Sequence, residues 1–387
     1  MSENSPALDE SLSENSPLNR FLQWVLVALL VYLLIAAVGM IGSGFKAATK
    51  GHAVELFEFA TNPFMALVIG IVATSMIQSS STVTSIIVGL VAGGLPVDTA
   101  IPMIMGANIG TTVTNSIVSL AHVKHGKAFR RAFAAATVHD FFNLLAVAIF
   151  LPLEIMFGFL EKLSDNIAHF MIGGENLSVK GLNFIKPAIK PLINLFQEIA
   201  AFISQPGAAA ILVVFGIFLI FLSITLISRV LKKLMVGRAR KMLHTAIGKG
   251  PVTGIFSGTV ITVLVQSSST TTSLMVPLAG SGIFRLKQIY PFTLGANIGT
   301  TITALLAATA VSGPTAVLAM EIAIVHLLYN MFGVVLIYGF EPLREIPLKG
   351  AMTLARLAEK SKIYALSYLL GLFFVLPGIL VVVYQSM

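Results

Sequence analysis

Long apolar runs separated by short polar stretches set the plan of this chain. They predict membrane-embedded elements at roughly 21–43, 62–94, 99–120, 132–155, 207–228, 251–282, 288–309, 315–340 and 363–384. Two runs, 62–94 and 251–282, are too long for one simple crossing. As straight helices they would reach about 50 Å, against a hydrocarbon core of about 30 Å. Each also holds five consecutive polar residues near its centre: Gln78-Ser79-Ser80-Ser81-Thr82 and Gln266-Ser267-Ser268-Ser269-Thr270. Without water, such groups are costly unless they build something. Each run divides at this point into two arms of about 15 residues, which predicts a re-entrant helical hairpin rather than a steeply tilted helix.

Composition places the chain in a bilayer. Of its 387 residues 56% are hydrophobic and 11% charged, and the mean hydropathy is +0.91. A soluble domain carries about 25% charged residues. The expected class is an all-α polytopic membrane protein. The net charge of +8 sits beside apolar spans, as the positive-inside rule requires, and implies no nucleic-acid partner. With no cysteine there is no disulfide or thiolate metal site. No stretch is long and polar enough for a soluble catalytic domain. Residues 1–20 read as a disordered tail in which Ser2-Glu3-Asn4-Ser5-Pro6 recurs as Ser13-Glu14-Asn15-Ser16-Pro17. The tail is acidic, so Phe21 to Met40 is expected to be a retained first span and not a cleaved signal.

Three landmarks recur in the same order. Gln78 matches Gln266, Asn108 of Gly106–Thr112 matches Asn297 of Gly295–Thr301, and His139/Asn143 match His326/Asn330, at offsets of 188, 189 and 187. The near-constant spacing marks a duplication, with repeats at 62–155 and 251–340. Charge sets their orientation. The link 121–131 of the first repeat holds Lys124, Lys127, Arg130 and Arg131, whereas its counterpart around Ser312–Thr315 has no charge. Before the second long run come Arg229, Lys232, Lys233, Arg238, Arg240, Lys241 and Lys249 without an acid; before the first, Lys46 and Lys50 are balanced by Glu55 and Glu58. The basic side is swapped, so the repeats are expected to have inverted topology. The N-terminus, 121–131, 229–250 and 341–362 then lie in the cytoplasm, and 156–206 is an external loop. The segment 21–61 is a first span with its external link, 207–250 a span with a basic loop, and 341–387 an interfacial segment with a last span ending outside.

The polar runs carry the candidate chemistry. Each first arm ends at the Gln and each second arm begins at the Ser/Thr run. Ser and Thr cap helix N-termini, whose free N–H groups and partial positive charge suit an anion. Ser79, Ser80, Ser81, Thr82, Ser267, Ser268, Ser269 and Thr270 are therefore candidates to hold one anion from both sides. The carbonyls at the ends of the first arms, beside Gln78 and Gln266, suit a small cation such as sodium. The alternative, Ser/Thr hydrogen bonds as interhelix glue, explains a duplicated run of this density poorly. Gly106–Gly110 and Gly295–Gly299 predict local helix breaks that restart at Thr111-Thr112 and Thr300-Thr301. Asn108, Asn297 and these threonines are then oxygen ligands for a hard monovalent cation; the competing reading is close helix packing through Gly-xxx-Gly. Asp140 is a carboxylate inside a span, a cation ligand or proton carrier. His139 with Asn143, and His326 with Asn330, share helix faces at i,i+4 and read equally as packing pairs or support for ligands. Glu321, with Ala134 opposite it in the first repeat, ranks lower. With no Lys or Arg inside any predicted span, an anion would be met by helix dipoles, hydroxyls and co-bound cations, which points to cation-coupled uptake.

The paired Gln-Ser-Ser-Ser-Thr runs, the paired Gly-Ala-Asn-Ile-Gly-Thr-Thr segments and Phe129–Asp140 (Phe-Arg-Arg-Ala-Phe-Ala-Ala-Ala-Thr-Val-His-Asp) resemble the type II sodium–phosphate cotransporters over about 62–155 and 251–340. The resemblance implies sodium-driven uptake of inorganic phosphate by alternating access. It implies that the two Gln-Ser-Ser-Ser hairpins form the phosphate and sodium sites. Ala134-x-Ala136-x-x-x-Asp140 is similar to the pattern of electrogenic members, where Gly replaces Asp in electroneutral ones. Asp140 would thus serve a sodium site. Sodium is the only metal implied, as coupling ion, with no cofactor. Animal members have a disulfide in the large external loop, absent here, and a longer C-terminus with a further span. Asn176-Leu177-Ser178 has the form of a glycosylation sequon. Together these features suggest a compact prokaryotic-type member in the cell membrane, with no assigned oligomeric state. The competing classes are a sodium- or proton-coupled carrier or channel for another oxyanion, and a membrane transferase with a Ser nucleophile. The transferase lacks a His or carboxylate near either run in sequence to act as base.

Overall fold

The computed structural model describes residues 17–49, 60–124, 126–173, 185–200, 202–203, 207–246 and 250–386, and every regular element among them is a helix. Of the tail expected over 1–20, residues 1–16 lie outside the described residues and 17–20 are instead helical. The sequon at Asn176, and Lys50, Glu55, Glu58 and Lys249, also lie outside the described residues. Among the described residues, six helices are long and apolar enough to cross a membrane: Leu18–Thr49, Gly126–Phe157, Gly207–Lys232, Leu286–Ala308, Ala316–Tyr338 and Lys362–Tyr384. The chain is a multi-pass membrane protein.

Helix α1 (Pro17–Thr49) leads into the first long run. That run is two helices, α2 (Pro63–Ile77) and α3 (Ser80–Gly93). Asn62 starts α2 by accepting hydrogen bonds from the N–H groups of Phe64 (2.9 Å) and Met65 (3.4 Å), with Pro63 in the first turn. Next come α4 (Val97–Gly110), α5 (Val113–Ser119) and α6 (Gly126–Phe157). The second long run breaks at the matching place, into α10 (Pro251–Val265), α11 (Ser268–Ser273) and α12 (Met275–Gly280). Leu274 keeps right-handed helical dihedrals, so α11 and α12 form one distorted arm. Pro277, which cannot donate to the carbonyl of Ser273, accounts for the distortion. Helices α13 (Leu286–Ala308) and α14 (Ala316–Gly333) complete the second repeat.

A glycine seam joins α2 to α4. A Cβ at Gly106 would lie 2.0 Å from the carbonyl oxygen of Leu67, and one at Gly70 would lie 2.1 Å from that of Met103. Gly110 faces the Ile71 carbonyl in the same way, at 2.7 Å. Positions 67 and 71 thus meet 106 and 110 in rising order, so α2 and α4 run parallel and in step. The intervening α3 therefore brings the chain back to the level where α2 began. The second repeat is built alike: Gly295 faces the Ile255 carbonyl at 1.9 Å, Gly258 that of Phe292 at 2.0 Å, and Gly299 that of Thr259 at 2.8 Å.

This seam corrects the predicted helix breaks. Gly106–Gly110 is helical, and the interruption falls later, as a turn at Thr111-Thr112. In the second repeat α13 passes through Gly295–Thr301 without a break. Their glycines are required for backbone contact, not for unwinding, so the Gly-xxx-Gly packing reading accounts for them.

The segment 156–206, expected as a loop, contains α7 (Phe159–Gly173) and α8 (Ile185–Ala200), each with an apolar face. Helix α9 (Gly207–Ala246) runs on well past the expected end of its span at 228. It packs antiparallel on α1: Gly44 faces Leu212, Gly216 faces Ile41, and Leu30 clusters with Ile227 and Leu231. Helix α15 (Glu341–Lys360) is amphipathic and packs on α6, while α7 packs on α14. The last span comprises α16 (Lys362–Leu370), a π-helical turn, and α17 (Leu376–Ser386).

Candidate functional site: two Gln-Ser-Ser-Ser tips around one cavity

Gln78 and Gln266 are the only non-glycine residues at positive φ among those described, at 59° and 54°. Such left-handed dihedrals cost an L-residue roughly 1–2 kcal/mol. They end α2 and α10 and turn the chain so that a new helix can begin two residues later. Ser79 and Ser267, in extended conformation, then cap those helices: each Oγ accepts the N–H three residues on, from Thr82 and Thr270, at 3.2 Å.

The glutamine side chains stabilise these turns. Gln78 donates to the carbonyl of Ser75, and Gln266 to that of Val263 (2.7 Å). Their amide oxygens accept from Thr114 (2.6 Å) and Thr303 (2.9 Å). These two threonines are 189 positions apart, the offset of the Asn motifs, yet stand outside the motifs that drew notice. Only that offset, applied to every hydroxyl in the repeats, would have picked them out.

The two tips meet. A cavity of about 350 Å³ is lined by Gln78, Ser79, Ser80 and Ser81 from one and Gln266 through Thr270 from the other. Thr82 is buried behind its tip, donating to Ser79 Oγ (2.9 Å). The remaining wall comes from Ile77 of α2 and from α9, through Phe221, Ile224, Thr225, Ser228, Arg229 and Lys232. Ser228 donates to the Gln266 carbonyl (3.0 Å), tying α9 to the second tip. Arg229 and Lys232 correct the expectation that only dipoles, hydroxyls and co-bound cations would face an anion. Sequence reasoning ended this span at 228 and assigned both residues to a loop.

Gln78 and Gln266 apart, the predicted cation residues do not line the cavity. Asp140 is fully buried on α6. Its Oδ2 accepts from the Tyr368 hydroxyl of α16 (2.9 Å), and its Oδ1 has no hydrogen-bond partner. Asn108 and Asn297 sit in a buried chain that crosses between the repeats. His139 Nε2 pairs with Asn297 Oδ1, Asn297 donates to Asn143 Oδ1 (2.9 Å), and Asn143 donates to the Asn108 carbonyl (2.8 Å). Asn330 donates to Asn108 Oδ1 (3.3 Å) and to the carbonyl of His326 (2.9 Å). Neither ring nitrogen of His326 has a partner. Thr111, Thr112, Thr300 and Thr301 donate to carbonyls within their own helical segments, at 2.6–3.1 Å. Asn115, missed in the sequence, exchanges hydrogen bonds with Thr272 at 2.8 and 3.1 Å and so joins α5 to the second tip's arm.

The arrangement offers hydroxyls, helix N-termini and two cations to an anion, and a separate buried carboxylate to a cation. Among the described residues lining the cavity there is no His or carboxylate. The sequence compares well with known proteins. The family model described as Na+/Pi-cotransporter matches residues 33–180 and 217–354. Sodium-dependent phosphate transport protein 2A of Rattus norvegicus is 33% identical over 97% of this chain and 69% of its own length. Protein 2B of Bos taurus is 31% identical over 92% of this chain and 64% of its own length. The 2A protein of Mus musculus is 32% identical over 97% and 69%. No solved structure gives a significant match. With both repeats matched and this identity along nearly the whole chain, the protein belongs to the Na+/Pi-cotransporter family.

Proposed function

We propose that the protein is an electrogenic symporter that couples sodium entry to uptake of inorganic phosphate by alternating access. The observation that carries this reading is the single cavity lined by both Gln-Ser-Ser-Ser tips. Phosphate is held there by Ser79–Ser81 and Ser267–Thr270, at the starts of α3 and of the α11–α12 arm, with Thr82 supporting Ser79 from behind. Sodium is served by the glutamine turns at Gln78 and Gln266 and by Asp140, whose buried free oxygen suits a cation. Asn108, Thr111, Thr112, Asn297, Thr300 and Thr301 are retained as sodium candidates. The His139, Asn143, His326 and Asn330 side chains support them. A carboxylate neutralised by sodium brings one further positive charge inward per cycle, which makes transport electrogenic.

In the membrane, α2–α3 and α10–α12 are re-entrant hairpins that enter from opposite faces. The parallel, in-step packing of α2 with α4 and of α10 with α13 supports the hairpins, and the antiparallel packing of α1 on α9 supports inverted repeats. The protein resides in the cell membrane with its N-terminus and the basic end of α9 in the cytoplasm, residues 156–206 outside and its C-terminus outside.

The test is uptake of labelled phosphate into proteoliposomes under a sodium gradient, with charge movement recorded at once. Uptake and inward current that both need sodium are expected. Equal uptake in potassium removes sodium coupling. Sulfate transport that excess phosphate does not inhibit assigns the cavity to another oxyanion.

A further inference from the structure

Arg229 and Lys232 stand one helical turn apart on α9, on the side that walls the cavity. Both are exposed, and neither has an ion-pair partner among the described residues. Beside them Ser228 is bonded to the carbonyl of Gln266, which fixes this turn of α9 against the second tip. The wall is one-sided. Helix α1 precedes the first tip as α9 precedes the second, but no residue of α1 lines the cavity. At the repeat offset of 188, Arg229 and Lys232 correspond to Ile41 and Gly44. Ile41 is fully buried in the core, and Gly44 is pressed against Leu212. Among the described residues that line the cavity, two formal positive charges therefore come from α9 and none from α1.

We infer that Arg229 and Lys232 form a state-specific phosphate-retention site: they strengthen anion binding when the cavity opens towards the basic end of α9 and lose contact with the anion when it opens towards the opposite membrane face. This rests on the reading that the two tips share phosphate. Its consequence is kinetic. Under the positive-inside assignment the basic end of α9 is cytoplasmic, so phosphate delivered inward meets the cations before leaving. Phosphate already inside then binds the same pair and holds the carrier in that state. The two cations make the transporter sensitive to the internal phosphate level.

The experiment uses the full-length protein in proteoliposomes sorted to one orientation, with inorganic phosphate loaded inside. Two constants are read: the external KM for phosphate, and the internal phosphate that halves uptake. In the double variant Arg229→Gln/Lys232→Gln the internal constant is expected to rise about fivefold relative to the external one, the scale of partly screened charges. Arg229→Lys/Lys232→Arg keeps the charge and should keep the ratio. Raising internal choline chloride should shift the wild-type ratio towards that of the neutral variant. An unchanged ratio in the neutral variant, or loss of the ratio in the charge-preserving one, overturns the inference. Ser268→Ala separates this from the underlying reading, because it should weaken both constants. If Ser268→Ala weakens both while the neutral pair is silent, only the retention site falls; if Ser268→Ala weakens neither, the shared phosphate site falls with it.

Discussion

The hydroxyl of Tyr368 donates a 2.9 Å hydrogen bond to Oδ2 of Asp140, across 228 residues of chain. It joins the last span, which lies outside both repeats, to the carboxylate assigned to sodium. The Tyr368 ring stacks on Phe141 at 6.1 Å, which fixes the hydroxyl in place. Asp140→Gly should retain phosphate uptake and lose the inward current. Tyr368→Phe keeps the ring and removes the donor, so the sodium needed for half-maximal uptake should rise about tenfold, in line with loss of a hydrogen bond to a charged group. Simultaneous flux and current recording checks both. A Tyr368→Phe protein with unaltered sodium dependence would show that the hydroxyl only packs.

The glycine seams should tolerate no side chain. Gly106→Ala and Gly295→Ala place a methyl about 2 Å from a carbonyl oxygen, and overpacking of this kind costs roughly 1–3 kcal/mol or more. Gly339→Ala, with nothing within 4 Å, is the control. Thermal unfolding in detergent should show a clear drop in Tm for the first two and almost none for the third.

The glutamine turns should behave as coupled pairs. Gln266→Ala and Thr303→Val each break the same 2.9 Å hydrogen bond, so their effects should overlap instead of adding. A double-mutant cycle on Tm should give a coupling of about 0.5–3 kcal/mol. The same holds for Gln78 and Thr114. Strict additivity would mean the turns do not depend on these contacts.

Asn297 distinguishes a ligand from a strut. It bonds both His139 and Asn143 in a fully buried setting. Asn297→Leu leaves those partners unpaired and should destabilise by about 1–3 kcal/mol for each. If Asn297 also serves sodium, Asn297→Asp should fold and alter the sodium dependence of uptake. Normal sodium dependence in folded Asn297→Asp would confine its role to joining the repeats.

Ligands should stabilise the protein together. At about a hundred times its dissociation constant, a ligand bound only to the folded state adds roughly 2.7 kcal/mol. Phosphate with sodium should raise Tm; phosphate with potassium should do so far less. Equal shifts in the two salts would separate phosphate binding from sodium.

Much of the site was legible in the sequence because polarity is costly in an apolar run. Gln78–Thr82 and Gln266–Thr270 stand out for that reason, and duplication made their meeting at one cavity a natural expectation. The glycines near Asn108 and Asn297 were ambiguous, since the same spacing serves an unwound helix and a close contact. Only three-dimensional placement, with carbonyls 1.9–2.8 Å from the missing Cβ atoms, decides it. Arg229 and Lys232 were hidden by hydropathy, which ends a span where charge begins, although α9 continues as helix. Tyr368 and Asn115 carry no local signal at all, because their partners are distant in sequence and unrelated by the repeat.

The seams also constrain how the carrier moves. Where backbone rests directly on backbone, no side chain is left to flex, and two helices translate as a single lever. Each tip must then travel with the helix behind it, α2 with α4 and α10 with α13, so neither hairpin closes over its cargo as an independent flap. Displacement is left to the joint between the levers, which is bridged by the asparagine chain. Spin labels at the exposed positions 64 of α2 and 98 of α4 would hold their separation through the cycle, while labels on opposite tips would part and rejoin.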